Sequence, residues 1–142
     1  MSTGNDMYDG VISWAPFEGI ENLEVTICDI DVERQVVDAI VRFPPNEVTS
    51  MHNHCAQTNM FVIQGELRIY EPNGELREVR PAGHHYRGRR DDVHTEGGGD
   101  EGAIVMYSIR GHGDDDLIEM MDAEQQVQSV VGWQALLADA QS

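Results

Sequence analysis

The sequence predicts an all-β fold, a sandwich or barrel of short strands with one short C-terminal helix, and three observations predict it. Short segments rich in β-branched and aromatic residues are separated by turn signals about every 8–12 residues. Several of these segments alternate apolar and polar residues, the period of a strand with one buried face. Only the tail departs from that pattern. Gly132-Trp133-Gln134-Ala135-Leu136-Leu137-Ala138-Asp139 is made of helix formers, with Trp133, Leu136 and Leu137 on one side.

The elements follow in order. Residues 1–10 are polar at the start and read as a flexible leader, with a single domain over 11–142. Val11-Ile12-Ser13-Trp14 is the first strand candidate, ahead of Ala15-Pro16. Glu24 to Ile30 alternates well, and Gln35 to Phe43 follows until Pro44-Pro45-Asn46 ends it. Thr49 to His54 and Asn59 to Gln64 are the next two. Gly65 is expected to make a tight turn into Glu66–Tyr70, and Pro72-Asn73-Gly74 is a hairpin signal before Leu76–Val79. Pro81-Ala82-Gly83 turns into His84–Arg87, and Ala103 to Arg110 is the last strong strand. The run Gly97-Gly98-Gly99 and the acidic Asp114-Asp115-Asp116 are the compositionally biased stretches.

Charge excludes some partners. Lys and Arg number 9 against 26 Asp and Glu, a net charge of −17. Such a chain has no phosphate-neutralising surface for nucleic acid, and anionic membranes are equally poor partners. No apolar run approaches the roughly 20 residues of a membrane span. The polar start lacks the parts of a signal peptide, so a cytoplasmic protein is expected. Cys28 and Cys55 are too few for a disulfide framework.

The chemistry concentrates in histidines. His52 and His54 stand two apart in Ser50-Met51-His52-Asn53-His54, so on a strand they point to one face. Two imidazoles placed that way are a natural pair of metal ligands. His94, in Asp92-Val93-His94-Thr95, would complete a set of three if it came from a neighbouring strand. A surface pair in a loop is the competing reading of His-x-His alone.

The order Pro45-Asn46-x5-His52-x-His54-x4-Asn59-x5-Gly65 resembles the first motif of the cupin superfamily, and Val93-His94-Thr95 resembles the core of its second. Ala82-Gly83-His84-His85-Tyr86 is similar to the entry of that second motif. Trp14-Ala15-Pro16-Phe17-Glu18-Gly19 resembles the entry segment of the cupins that include the zinc-binding anti-sigma domain and dihydroxyacetophenone dioxygenase. Gly132-Trp133-Gln134-Ala135 is similar to the tail of the acetylacetone-cleaving dioxygenase. The resemblance spans roughly Trp14 to Leu137. It implies a double-stranded β-helix, a jelly-roll barrel, with His52, His54 and His94 on a divalent metal. Two departures matter. Asn59, or Thr58 on a loop one shorter, stands where the family carries a glutamate ligand, and Arg89-Arg90-Asp91-Asp92 replaces a Pro-Pro-Gly turn.

With the acid missing, the centre is expected to be three neutral histidines that leave the metal its full charge for an anionic, chelating substrate. The resemblance favours Fe(II), with Zn(II), Ni(II) or Mn(II) as alternatives. Fe(II) would serve a dioxygenase that cleaves a C–C bond next to a carbonyl of a small diketone or hydroxyketone, with O2 as co-substrate. The alternatives are a non-oxidative isomerase, cyclase or lyase, or a non-catalytic sensing cupin. A homodimer is expected by the same resemblance.

Other residues complete the expected site. Asn59 is expected near the metal, with Phe61 and Ile63 on its face as an apolar wall or ordinary core. Tyr86 and Arg87 are candidates for acid–base chemistry and anion binding, the latter in competition with pairing to surface acids. Arg68 and Tyr70 share a face, and Gln57 reads as a turn residue. His84 and His85, being adjacent, cannot both face a cavity. Cys55 is expected to point away from His54, and Trp14 and Trp133 to pack.

Overall fold

A computed structural model of the chain describes residues 12–17, 20–88, 90–113 and 116–140. The expected leader, Val11 and Arg89 lie outside the described residues. The strands are β1 (Ala15–Pro16), β2 (Glu24–Asp31), β3 (Val36–Phe43), β4 (His52–His54), β5 (Gln57–Tyr70), β6 (Leu76–Pro81), β7 (His85–Arg87), β8 (Asp92–Arg110), β9 (Asp116–Met121) and β10 (Val127–Gly132), followed by helix α1 (Trp133–Ala140). Their order is β1-β2-β3-β8-β4-β9-β10, while β5 pairs with β8 along one edge and with β6 and β7 along the other. Every strand pair is antiparallel. The result is an all-β, single-domain cupin barrel with a short C-terminal helix.

Alternation builds the interior. In β3, Val37, Ala39, Val41 and Phe43 are buried while the residues between them are partly exposed. Burying Val37, Val41 and Phe43 contributes about 1.5–3 kcal/mol each. Leu67, Ile69, Val105 and Leu117 join them in one continuous core, and α1 adds Trp133 and Leu136.

Two strands run longer than the sequence suggests. Gly65 does not end a strand. Chain 57–70 passes straight through it, and β8 begins at Asp92 rather than Ala103. Both strands carry register irregularities where they meet, around Gly65↔Ala103. Gly65 has φ 75° and Gly102 φ 78°. A Cβ on Gly65 would run into the Gly102 carbonyl, so glycine is required at this crossing. A bulge admits an extra residue and exchanges the inward and outward positions beyond it. In β5 the buried set therefore changes from Thr58, Met60 and Val62 to Leu67 and Ile69. In β8 it changes from His94 and Glu96 to Ala103, Val105, Tyr107 and Ile109.

Other expectations are corrected locally. The first described strand is Ala15–Pro16, an edge position where the missing N–H of proline is tolerated. Pro72-Asn73-Gly74 does make a turn, with Gly74 N–H donating to the Glu71 carbonyl. β9 and β10 were not expected from the pattern. β9 hides a buried Leu117, Ile118 and Met120 behind an acidic start, and most of β10 is exposed. Among the described residues no helix is long and apolar enough to cross a membrane.

Candidate metal centre

The pairing of β4 assembles the histidines. His52 lies opposite His94 of β8, with Met120 of β9 on its other side. Directly paired antiparallel residues share a face, and so do residues two apart. His52, His54 and His94 must therefore project together into the barrel. Their ring centroids form a nearly equilateral triangle of 4.8, 5.0 and 5.1 Å. All three are buried.

Glu96 enters the same cluster by the same rule, two residues beyond His94 on β8. One potential ligand atom from each of His52, His54, His94 and Glu96 lies within 4.8 Å of the others. Glu96 Oε2 is 3.4 Å from His94 Nε2, and Oε1 is 3.8 Å from His52 Nε2. This overturns the expectation of a neutral three-histidine centre. The carboxylate comes from β8, not from the Asn59 position on β5. The His94-Thr95-Glu96 spacing carries the same signal as His52-Asn53-His54 and could have revealed it.

The hydrogen bonds around the rings settle which nitrogen faces inward. His52 Nδ1 is 2.7 Å from the Ser50 carbonyl, which can only accept, so Nδ1–H donates. His94 Nδ1 donates to Asp92 at 3.1 Å, and Arg77 holds that carboxylate at 2.9 Å. Thr58 donates its hydroxyl to the Ala56 carbonyl, leaving its oxygen to accept from His54 Nδ1 at 3.4 Å. Each Nε2 is thereby the nitrogen left facing the cluster. The Nε2 of His94 is buried with no aligned hydrogen-bond partner. Three oriented imidazoles and one carboxylate fit a divalent transition metal, with their outer partners already in place.

Electrostatics separates the four groups. Burial, helped by the two neighbouring imidazoles, pushes His54 down to about 3. Burial also lowers His52. Burial opposes a charge on His94 too, but the Asp92 hydrogen bond and the Glu96 carboxylate outweigh it and hold the imidazole up at about 9. Against its own burial, Glu96 is kept well below the usual carboxylate range by the histidines. Tyr107 donates its hydroxyl to Glu96 Oε1 at 3.1 Å, and burial beside that anion raises the phenol far above its ordinary value.

Two compartments adjoin the cluster. One is an apolar chamber of about 70 Å³ bounded by Ile20, Leu23, Ile27, Phe43, Leu117 and Leu136, with His52, His54, Glu96 and Tyr107 in its wall. The other is a polar space of about 20 Å³ shared by His54, His94, Glu96, Tyr107, Thr58, Tyr86 and Arg80.

The remaining expected site residues divide between inside and outside. Tyr86 lines the polar space beneath the guanidinium of Arg80. Asn59 sits at an outward position of β5, where its Oδ1 accepts from Gln57 at 3.1 Å. Arg87 is exposed on β7, opposite in direction to Tyr86. Phe61 is 43% exposed, so it forms no cavity wall. Arg68 turns outward to Glu66 and Asp100. The β5 residues that line the polar space are Thr58 and Met60, and counting from the family motif by one residue is what separates Thr58 from Asn59.

A strand-built barrel with inward histidines on β4 and β8 is the cupin arrangement, and the chain has a cupin fold. Comparison of folds agrees. An RmlC-like cupin from Ralstonia eutropha superposes with a TM-score of 0.75 at 18% identity, covering 91% of this chain and 79% of that one. A protein assigned as an acetylacetone dioxygenase from Methylibium petroleiphilum gives 0.74 at 14% identity, covering 96% and 92%. The acetylacetone dioxygenase of Acinetobacter johnsonii gives 0.71 at 14%, covering 92% and 88%. No protein-family model and no curated protein matches the sequence.

Proposed function

We propose that this cupin is a metal-dependent enzyme, an Fe(II) dioxygenase that cleaves a C–C bond next to a carbonyl of a small diketone or hydroxyketone. The observation that carries the reading is the convergence of His52, His54, His94 and Glu96 on one point in the wall of an apolar chamber. The similarity in fold to acetylacetone dioxygenases supports the choice of reaction. A divalent metal held by these four groups would supply Lewis acidity and, as Fe(II), redox chemistry toward O2.

The chain's own residues do the rest. The apolar side chains around Phe43, Leu117 and Leu136 receive the carbon body of the substrate and keep water out. Ser50, Asp92 and Thr58 fix the three imidazoles, and Tyr107 fixes Glu96. Because Glu96 is anionic, the centre would carry one positive charge rather than two. The apolar chamber and the fold likeness therefore support this reading, and a missing acid does not. A small-molecule substrate, O2 and a homodimer belong to it, with exposed Val127 and Val130 on the edge strand β10 favouring self-association.

A second reading has an observation of its own. Tyr86 lines the polar space beside the cluster, placed to exchange a proton with a substrate whose carbonyl a metal would polarise. With Zn(II), Ni(II) or Mn(II) the protein would then be an isomerase, cyclase or lyase. Oxygen uptake by Fe(II)-loaded protein across a panel of diketones and hydroxyketones separates the two. The dioxygenase reading expects one O2 consumed per substrate cleaved. Turnover at an undiminished rate without O2 would replace it with the second.

A further inference from the structure

Arg80 is the cation that the centre does not explain. It occupies an inward position of β6 opposite Leu67 and is only 3% exposed. A buried guanidinium normally satisfies its fork with carboxylates, because desolvating that charge is costly. Here one arm reaches Glu78 at 3.0 Å, and the other meets only the weakly accepting thioether of Met60 at 2.8 Å. Nε–H is buried with no acceptor at all. The group lies 3.5 Å over the Tyr86 ring, which stabilises the cation but accepts no directional bond from Nε–H.

Arg80 borders the polar space of about 20 Å³ that His54, His94 and Glu96 also line. A space of that size holds about one water-sized group. It shares His54, Glu96 and Tyr107 with the apolar chamber, whose remaining lining is mostly aliphatic and aromatic. The centre is thus approached from two sides of opposite character, one apolar and one polar with a cation. From this we propose that Arg80 forms a small-anion subsite beside the metal centre. It accepts one anionic atom or end group of a small anion, separate from the organic molecule in the apolar chamber.

The inference rests on the metal-centre reading, and its test separates the two. Protein loaded with Co(II) is titrated with azide and followed by the visible absorption of the metal, after metal content has been measured. Wild type is expected to hold one Co(II) per chain and to bind azide saturably. Arg80→Met is expected to keep its Co(II) and to bind azide roughly 10- to 100-fold more weakly, the loss of a charge-assisted hydrogen bond. Glu78→Gln removes the competing carboxylate from the same guanidinium and is expected to bind azide more tightly, which keeps the test decisive should Arg80→Met fold poorly. Azide affinity unchanged in Arg80→Met, or unchanged or weaker in Glu78→Gln, overturns the subsite while leaving the centre in place. Failure of wild type to hold Co(II) overturns the centre itself, and the subsite with it.

Discussion

The two halves of β8 lie on one strand and face one interior, yet they differ in everything else. From Asp92 to Gly98 the inward residues are His94 and Glu96, and the strand pairs with β4 and the far half of β5. From Ala103 to Arg110 the inward residues are Ala103, Val105, Tyr107 and Ile109, and the partners are β3 and the near half of β5. The first half carries ligands and the second carries core. Tyr107 joins them, since its ring belongs to the apolar half and its hydroxyl holds Glu96. A site of this kind needs a firm apolar support directly behind it, because ligands that shift lose both affinity and geometry.

The crossing at Gly65 and Gly102 lets one strand do both jobs, so the largest effect on stability is expected there. Gly65→Ala should cost about 3 kcal/mol, from a Cβ forced against the Gly102 carbonyl at a left-handed φ. Chemical denaturation would measure it. A loss below about 0.5 kcal/mol would show that the two halves do not depend on that crossing.

Within the ligand half, Glu96→Gln should weaken metal binding by at least roughly 10- to 100-fold, the cost typical of losing even an outer partner of a ligand. Competition with a coloured chelator reads this directly. The apolar half should keep its packing, so the melting temperature of the metal-free protein should move much less than in Gly65→Ala.

The pH dependence has opposite signs for stability and for metal uptake. In the metal-free protein the His94 imidazole is raised from 6.5 to about 9. Its contribution to stability is therefore complete below pH 6.5 and is lost as pH rises through about 9. A metal must displace that same proton, so affinity should climb about tenfold per pH unit between those limits and then level off. His54, pushed down to about 3, competes for no proton in this window. Chelator competition between pH 6.5 and 9 gives the slope, and a flat profile would mean that His94 is not protonated before binding.

The smallest effect is expected at Asn59. Since its side chain turns outward to Gln57, Asn59→Ala should change stability by less than about 0.5 kcal/mol and leave metal affinity unaltered. Thr58→Ala, one residue away and inward, should weaken metal binding by comparison.

These contrasts also show what the sequence makes legible. Strong alternation in 36–43 and 103–110 marks core strands without ambiguity, and His52-Asn53-His54 declares two ligands on one face. The side of β5 that faces inward is not legible in the same way. Phe61 and Ile63 are as apolar as Met60 and Val62, so composition does not distinguish the buried face from the outer one. Only pairing with β8 and β7 does so, and it selects Thr58 over Asn59. Glu96 is overlooked for a different reason. It precedes Gly97-Gly98-Gly99, which reads as a flexible tract, although Gly97 and Gly98 lie mid-strand where the backbone of 44–48 passes too close for any side chain. Arg80 is hidden among the exposed, charged residues of a hairpin, and only the tertiary fold buries it.

The most direct test of the account is anomalous diffraction from crystals of Co(II)-loaded protein, recorded at the metal absorption edge. One strong peak is predicted per chain, bounded by the Nε2 atoms of His52, His54 and His94 and by a Glu96 carboxylate oxygen. A peak elsewhere, or one held by the three histidines while Glu96 turns away, would contradict the four-group centre on which this reading of the molecule stands.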